Sequence, residues 1–294
     1  MLCGMARIAI IGGGSIGEAL LSGLLRAGRQ VKDLVVAERL PERAKYLAST
    51  YSVLVTAASE AVEHATFVVV AVKPADIETV MGDLAAAAAA AESDSAEQVF
   101  VTVAAGVTIS YFESKLPAGT PVVRAMPNAA ALVGAGVTAL AKGRFVTPQQ
   151  LEEVSALFDA VGVVLTVPEQ QLDAVTALSG SGPAYFLLLV EALVDAGVAV
   201  GLTRQVATDL AAQTMAGSAA MLLERMEQDR KPSGKPLGLR VDTTALQLRA
   251  SVTSPGGTTA AALRELEKGG FRVAVDAAVQ AAKSRSEQLR ITSE

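Results

Sequence analysis

Two stretches carry residues whose types and spacing can do chemistry. The first is RIAIIGGGSIGEALLSGLLRAG, where Gly12, Gly14 and Gly17 keep a G-x-G-x-x-G spacing between an apolar run and an amphipathic one. Glycines so spaced allow a tight turn, a close backbone approach to a pyrophosphate and close packing of helix on strand. The amides and dipole of the helix start, at Ser15 and Ile16, then favour phosphate. The second stretch is SVTSPGGTTAAALRELEKGG, Ser251 to Gly270, which holds no obvious catalytic acid, base or metal ligand. The fixed φ of Pro255 suits a first helical position with Ser254 as its cap. Gly256 and Gly257 admit a ligand close to the backbone, and the free amides and hydroxyls at Thr258 and Thr259 suit an anion. Local physics alone reads the same residues equally well as an ordinary capped helix start.

Further candidates sit where short apolar runs end. In VVAERLPER, Glu38 stands where an acidic residue often takes the ribose hydroxyls of NAD, and Arg39 where a cation can meet the 2′-phosphate of NADP. The two point in opposite directions and leave NADPH or NADH open. Val72, Lys73 and Pro74 close the fourth run. Ala104, Ala105 and Gly106 follow the fifth, and Asn128 follows the sixth. All lie at the carboxyl ends of parallel strands, where open α/β sheets bind ligands, and the Asn128 amide suits a nicotinamide or the substrate.

The elements that must position these residues alternate. Strands are predicted at Arg7–Ile11, Leu34–Ala37, Val53–Thr56, Phe67–Val72, Phe100–Val103 and Val122–Ala125, with segments between them long enough for crossover helices. The run FVVVAV suits a strand buried on both faces. GVTAL near Gly136 and GVVLTV at Gly162–Val167 add two strands around the helix PQQLEEVSALFDAVG. Alanine-rich 85–91 extends a helix. Beyond Pro168 the pattern becomes helical with Gly, Ser and Pro breaks. The expected fold is therefore α/β: a Rossmann-type, mostly parallel sheet over 1–168, then an all-α domain over 169–294. Ser179–Gly182 are expected to break the chain before Pro183 starts a long apolar helix. Gln228–Asp242 reads as an exposed loop.

Composition excludes several classes. With 51% hydrophobic and 19% charged residues, the 294-residue chain can build a large core. A net charge of −5 with scattered Lys and Arg offers no basic face for nucleic acid, and 4% aromatics offer no stacking platform. One cysteine, Cys3, precludes an internal disulfide, and the single histidine, His64, reads as a solvated residue at a helix end. No metal site is expected. The N-terminal apolar run is soon ended by glycines and reads as a strand rather than a signal peptide. Ala184–Leu202 is apolar enough to resemble a membrane span, but Glu191 and Asp195 share one helical face, so a buried helix of a soluble, cytoplasmic protein is expected.

The motifs IGGGSIGEAL, VVVAVKP, VAAGV, VRAMPN, ALSGSGPAYF and LRASVTSPGGTTAAALRELEKGGF occur in that order over nearly the whole chain. The chain resembles the pyrroline-5-carboxylate reductases, and the last two motifs are the specific ones. The resemblance implies a Rossmann domain with a helical dimerisation domain, a homodimer that in some members builds a larger ring, and reduction of a cyclic imine to L-proline by NADPH or NADH. It also implies that Ser254, Gly256, Gly257, Thr258, Thr259 and Ser181 meet the substrate, with Thr259 and Ser254 closest to the chemistry. Two stretches depart from the family. Asn128-Ala129-Ala130 stands where Asn-Thr-Pro is usual, and Asp242-Thr243-Thr244-Ala245 where Glu-x-His-Pro is frequent. A protonated imine is already electrophilic, which suits a chain without a strong acid. A hydroxy-acid dehydrogenase of the 6-phosphogluconate type usually places a lysine on the corresponding helix, and here none occurs between Lys142 and Lys231. A non-catalytic nucleotide sensor would need no carboxylate anchor.

Overall fold

A computed structural model describes residues 6–91, 98–230 and 243–291. The chain divides into two compact units, 1–183 with 279–294, and 184–278.

The first unit is built on β1 (Ile8–Ile11), α1 (Ser15–Arg26), β2 (Leu34–Ala37), α2 (Pro41–Tyr51), β3 (Leu54–Thr56), α3 (Ala58–Val62), β4 (Phe67–Val70), α4 (Ile77–Ala91), β5 (Val99–Thr102), α5 (Ile109–Lys115) and β6 (Val122–Met126). It continues through β7 (Gly136–Lys142), α6 (Pro148–Phe158), β8 (Gly162–Thr166) and α7 (Leu172–Val175). The eight strands form one sheet in the order β3-β2-β1-β4-β5-β6-β7-β8. Every neighbouring pair is parallel except β6 and β7. Alternate side chains feed two cores, one on each face. Ala9, Ile11, Val68 and Val70 pack with Ile77, Leu84 and Phe112, while Ile8, Ile10, Phe67 and Val69 pack with Leu20, Leu24 and Phe158. Burial on both faces explains why these strands read as continuous apolar runs. The chain leaves β1 toward β2 and β3 on one side and returns to β4 on the other, which makes β1/β4 the topological switch point.

One expectation about local structure is overturned. Ser179–Gly182 does not break the chain: α7 passes through a π turn, Thr176–Gly180, directly toward α8 (Gly182–Ala199). Ser181 N donates to Thr176 O, five residues back, at 2.9 Å. The wider turn absorbs the residues around Pro183, which cannot complete an α-helical bond.

The second unit holds most of α8, α9 (Arg204–Arg230), α10 (Thr244–Ser251), α11 (Thr258–Lys268) and the first part of α12 (Phe271–Gln288). Gly197 packs on Ala207, and Arg204 pairs with Asp195 at 2.9 Å, fixing the corner between α8 and α9. Within a single chain the apolar helix is not buried. Phe186, Leu187 and Leu188 are each at least 60% exposed, as are Val273 and Leu223 on other helices. Glu169–Ala199, the helical stretch that includes α8, is by length and composition apolar enough to cross a membrane. Residues 231–242, which hold nearly all of the expected loop and Asp242, lie outside the described residues, as does Cys3.

The end of α12 returns to the first unit. Asp173 accepts hydrogen bonds from Ser286 Oγ at 2.6 Å and from Arg290. Burial alone would raise this carboxyl, but the bonds from Ser286 and Arg290 outweigh it and hold Asp173 below the usual carboxylate range. Beyond that anchor, Ile291 N donates to Gly106 O at 2.7 Å, so the chain end pairs with the loop after β5.

Candidate active site

A cavity of about 680 Å³ opens at the β1/β4 switch point. Its wall includes Gly12, Gly14, Glu38, Arg39, Val72 and Lys73, six of the residues expected to hold a dinucleotide. Gly12 has φ +103°, and a Cβ there would lie 2.8 Å from Ala71 O, so both its conformation and its surroundings require glycine. A Cβ on Gly17 would lie 2.0 Å from Gly12 O, which is how closely α1 packs on the turn. Gly14 caps α1 without a side-chain acceptor and faces open space. The amides of the helix start, Ser15 and Ile16 among them, are the donors that a phosphate would use.

The charges of the cavity divide by their partners. Glu38 spends both oxygens on backbone, accepting from Gly13 N at 3.0 Å and Leu40 N at 2.9 Å. Arg39 pairs with Asp76 at 2.8 Å. Lys73 has no carboxylate partner among the described residues. Pro74 opens the short turn Pro74–Asp76 behind it.

A second set of residues props the glycine turn from outside, and the sequence reading missed it. Arg43 Nε donates to Gly13 O at 2.7 Å and its guanidinium pairs with Glu18, which also accepts from Tyr51 Oη at 2.8 Å. Burial pushes the Tyr51 hydroxyl up to about 12, helped by the Glu18 charge. Glu18 itself is lowered, because its bonds from Arg43 and Tyr51 outweigh its burial. The spacing of Glu18, Arg43 and Tyr51 resembles no motif, so only the packing of α1 on α2 reveals the set.

Ala104, Ala105 and Gly106 follow β5 outside the cavity wall, with Gly106 O taken by Ile291. Asn128 follows β6, and both ends of its amide meet backbone. Nδ2 donates to Ser179 O and Oδ1 accepts from Val137 N, each at 3.2 Å. The hydroxyls of Thr176 and Ser179 are spent on Leu172 O and Val175 O. Half-buried Ser181 has no side-chain hydrogen bond among the described residues.

In the second unit the stretch expected to bind an anion differs in detail from expectation. Pro255 is not the first helical residue, nor is Ser254 the cap. Gly257 N donates to Ser254 O at 3.1 Å, and Gly256 has φ +70°. Proline followed by a positive-φ glycine is the pattern of a type II turn, and a helix cannot pass through it. The helix therefore starts at Thr258 with Gly257 as its cap. The first amide bonded to that cap is Ala261 N, which leaves the amides of Thr258, Thr259 and Ala260 ahead of it. A Cβ on Gly257 would lie 2.4 Å from Ser254 Oγ, so the serine hydroxyl sits over the helix start. Hydroxyls and open amides thus share one short turn.

Comparison with known proteins decides the family. A chain from Mycobacterium tuberculosis named pyrroline-5-carboxylate reductase is 86% identical over the full length of both. The chain belongs to the pyrroline-5-carboxylate reductase family. A model described as pyrroline-5-carboxylate reductase dimerisation matches residues 169–289, and one described as NADP oxidoreductase coenzyme F420-dependent matches 7–106. The solved pyrroline-5-carboxylate reductase of Coxiella burnetii superposes with a TM-score of 0.85 at 33% identity, covering 98% of this chain and 100% of that one. The Plasmodium falciparum pyrroline carboxylate reductase, solved with NADP bound, gives 0.79 at 28% identity, covering 97% and 99%. The sheet-plus-helical architecture is thus that of the family, and the exposed helices fall within its dimerisation segment.

Proposed function

We propose that the chain reduces 1-pyrroline-5-carboxylate to L-proline with NADPH or NADH, the last step of proline biosynthesis. The observation that carries this reading is the full-length identity to a reductase of that name, joined to a cavity at the switch point. The cavity suits a dinucleotide: its floor is an open glycine turn and its rim carries Lys73, which has no carboxylate partner among the described residues. Gly12, Gly14, Ser15, Ile16 and Gly17 would hold the pyrophosphate, with Lys73 and Pro74 beside it. Glu38 and Arg39 would face the adenosine ribose. Val72, Ala104, Ala105 and Gly106 would line the nicotinamide side. The bound cofactor supplies a hydride.

The protein's own residues bind, orient and exclude water. The Ser254–Thr259 turn anchors the substrate carboxylate through the hydroxyls of Ser254, Thr258 and Thr259 and the amides that Gly256 and Gly257 leave accessible. Ser181 offers its open hydroxyl to the ring. Orientation of this kind contributes up to about 7–11 kcal/mol at its most favourable. The imine carries its own proton, so no side chain acts as a strong acid.

In this reading 1–168 is the dinucleotide domain and 169–294 the helical dimerisation and substrate domain. Two copies cover the exposed apolar helices, and rings of such dimers are a further assembly. The chain works in the cytoplasm, with no membrane or nucleic acid as partner. Purified protein mixed with pyrroline-5-carboxylate should consume NADPH or NADH, seen as falling absorbance, with proline formed in equal amount. No turnover with either cofactor would refute the reading.

A further inference from the structure

The helical run through Ser179 contains a carbonyl whose α-helical donor is missing. In an α-helix Ser179 O would accept from the amide four residues on, and that residue is Pro183, which has none. The π turn at Thr176–Gly180 lies at this point. Asn128 Nδ2 reaches the stranded carbonyl from the end of β6 at 3.2 Å, and Val137 N holds the other end of the amide at the same distance. The same strand end abuts the turn a second time. A Cβ on Gly180 would lie only 3.0 Å from Met126 Cε.

We propose that Asn128 is a positioning residue that supplies the hydrogen bond Pro183 withholds, and so fixes the Ser179–Ser181 turn against β6 for the imine. The proposal rests on the reductase reading, because only then does the turn face a substrate. It gives Asn128 a different task from cofactor binding. One Nδ2 hydrogen and the whole Oδ1 contact go to backbone, and the side chain joins the end of β6, the start of β7 and the π turn. The pairing also links two features far apart in sequence: an asparagine after β6 and a proline after Ser-Gly-Ser-Gly are two halves of one device.

Asn128→Asp is the sharpest probe. It keeps the shape of the side chain and an acceptor for Val137 N, replaces the donor to Ser179 O by a carboxylate oxygen, and so turns that contact from attraction to repulsion. Hydrogen exchange of the amides in 178–184 should quicken about tenfold or more, since the turn loses a tie that resists local opening. The NADPH Kd, from fluorescence titration, should stay within about twofold, while kcat/KM for the imine falls roughly 10–100-fold, as expected of a small misplacement. Pro183→Ala restores an amide to the stranded carbonyl, so the double variant should lose less than the product of the two single losses. If Asn128→Asp alone fails to fold, a folded double variant supports the pairing. An unfolded double variant beside a folded Pro183→Ala overturns it. Unchanged exchange, a Kd raised about tenfold or more, or losses that simply multiply would equally overturn it. Exchange is read without turnover, so an inactive wild-type enzyme would refute the reductase reading and leave this result to stand or fall separately.

Discussion

The two units of the chain solve the problem of burial in opposite ways. In the first, an eight-stranded sheet is covered on both faces, and β1, β2, β4 and β5 are buried along their whole length. In the second, among the described residues of 184–278, only Val194, Ala207 and Thr244 are buried. Yet α8 is among the most apolar segments of the molecule. Exposed apolar side chains in such number on neighbouring helix positions mark an interaction site. The Rossmann unit completes its own core, while the helical unit leaves its apolar helices uncovered within one chain. The difference follows from sequence: strand runs with covering helices close on themselves, whereas a helix apolar on nearly every side needs neighbours all round.

The largest expected effect tests those uncovered helices directly. Leu187→Arg places a charge on the most exposed stretch of α8, and it should convert the dimer to monomer in sedimentation at micromolar concentration. Activity should fall by about 100-fold or more if the helical unit needs its partner, as loss of a central interface anchor would imply. A dimer with full activity would erase the distinction between the two units.

Gly17→Ala tests the self-contained side. Its Cβ would press on Gly12 O, so NADPH affinity should drop and stability fall by about 1–3 kcal/mol in thermal melts, as overpacking does. The dimer should persist.

Asp173 sits where the chain end rejoins the first unit. Asp173→Ala removes the bonds from Ser286 and Arg290 and should cost about 2–3 kcal/mol. Arg290 is partly exposed, which keeps the figure below that of a fully buried pair. The folded carboxyl is lowered, so its contribution is present above its unfolded pKa and lost as pH falls through the folded value. The gap in melting temperature between variant and wild type should therefore narrow on acidification below the ordinary carboxylate range. A constant gap would show that the charge does not matter.

Tyr51→Phe should be the mildest change. It removes one hydrogen bond to Glu18 behind the glycine turn, worth about 1 kcal/mol, and should weaken NADPH binding only a few-fold. An effect as large as that of Gly17→Ala would mean that the prop, rather than the turn, governs the cavity.

The division between legible and hidden features follows the same line. The strands were readable because β-branched runs buried on both faces leave an unbroken apolar signal, as at Phe67–Val70. The glycine turn was readable because Gly12 and Gly17 answer to local clashes with Ala71 and with the turn itself. The Arg43–Glu18–Tyr51 prop was hidden, since three residues on two helices meet only through packing. The π turn was hidden because Gly and Pro usually interrupt helices, and the compensating donor, Asn128, lies some fifty residues away. The start of α11 lies three residues beyond the expected one, in the direction that Gly256 dictates: a positive φ ends the option of a helix at Pro255. Apolar periodicity in α8 reports that its faces must be covered and is silent on whether the cover is the same chain or another.

The central proposal is that the Ser254–Thr259 turn anchors the substrate carboxylate and takes no part in holding the dinucleotide. Thr259→Ala tests this most directly, with NADPH Kd and kcat/KM for pyrroline-5-carboxylate measured on the same preparation. The account predicts an NADPH Kd within about twofold of wild type and a kcat/KM lowered by about 10–150-fold, the loss of one charge-assisted hydrogen bond at 1.5–3 kcal/mol. Unchanged kcat/KM, or a loss carried wholly by weaker NADPH binding, would contradict it.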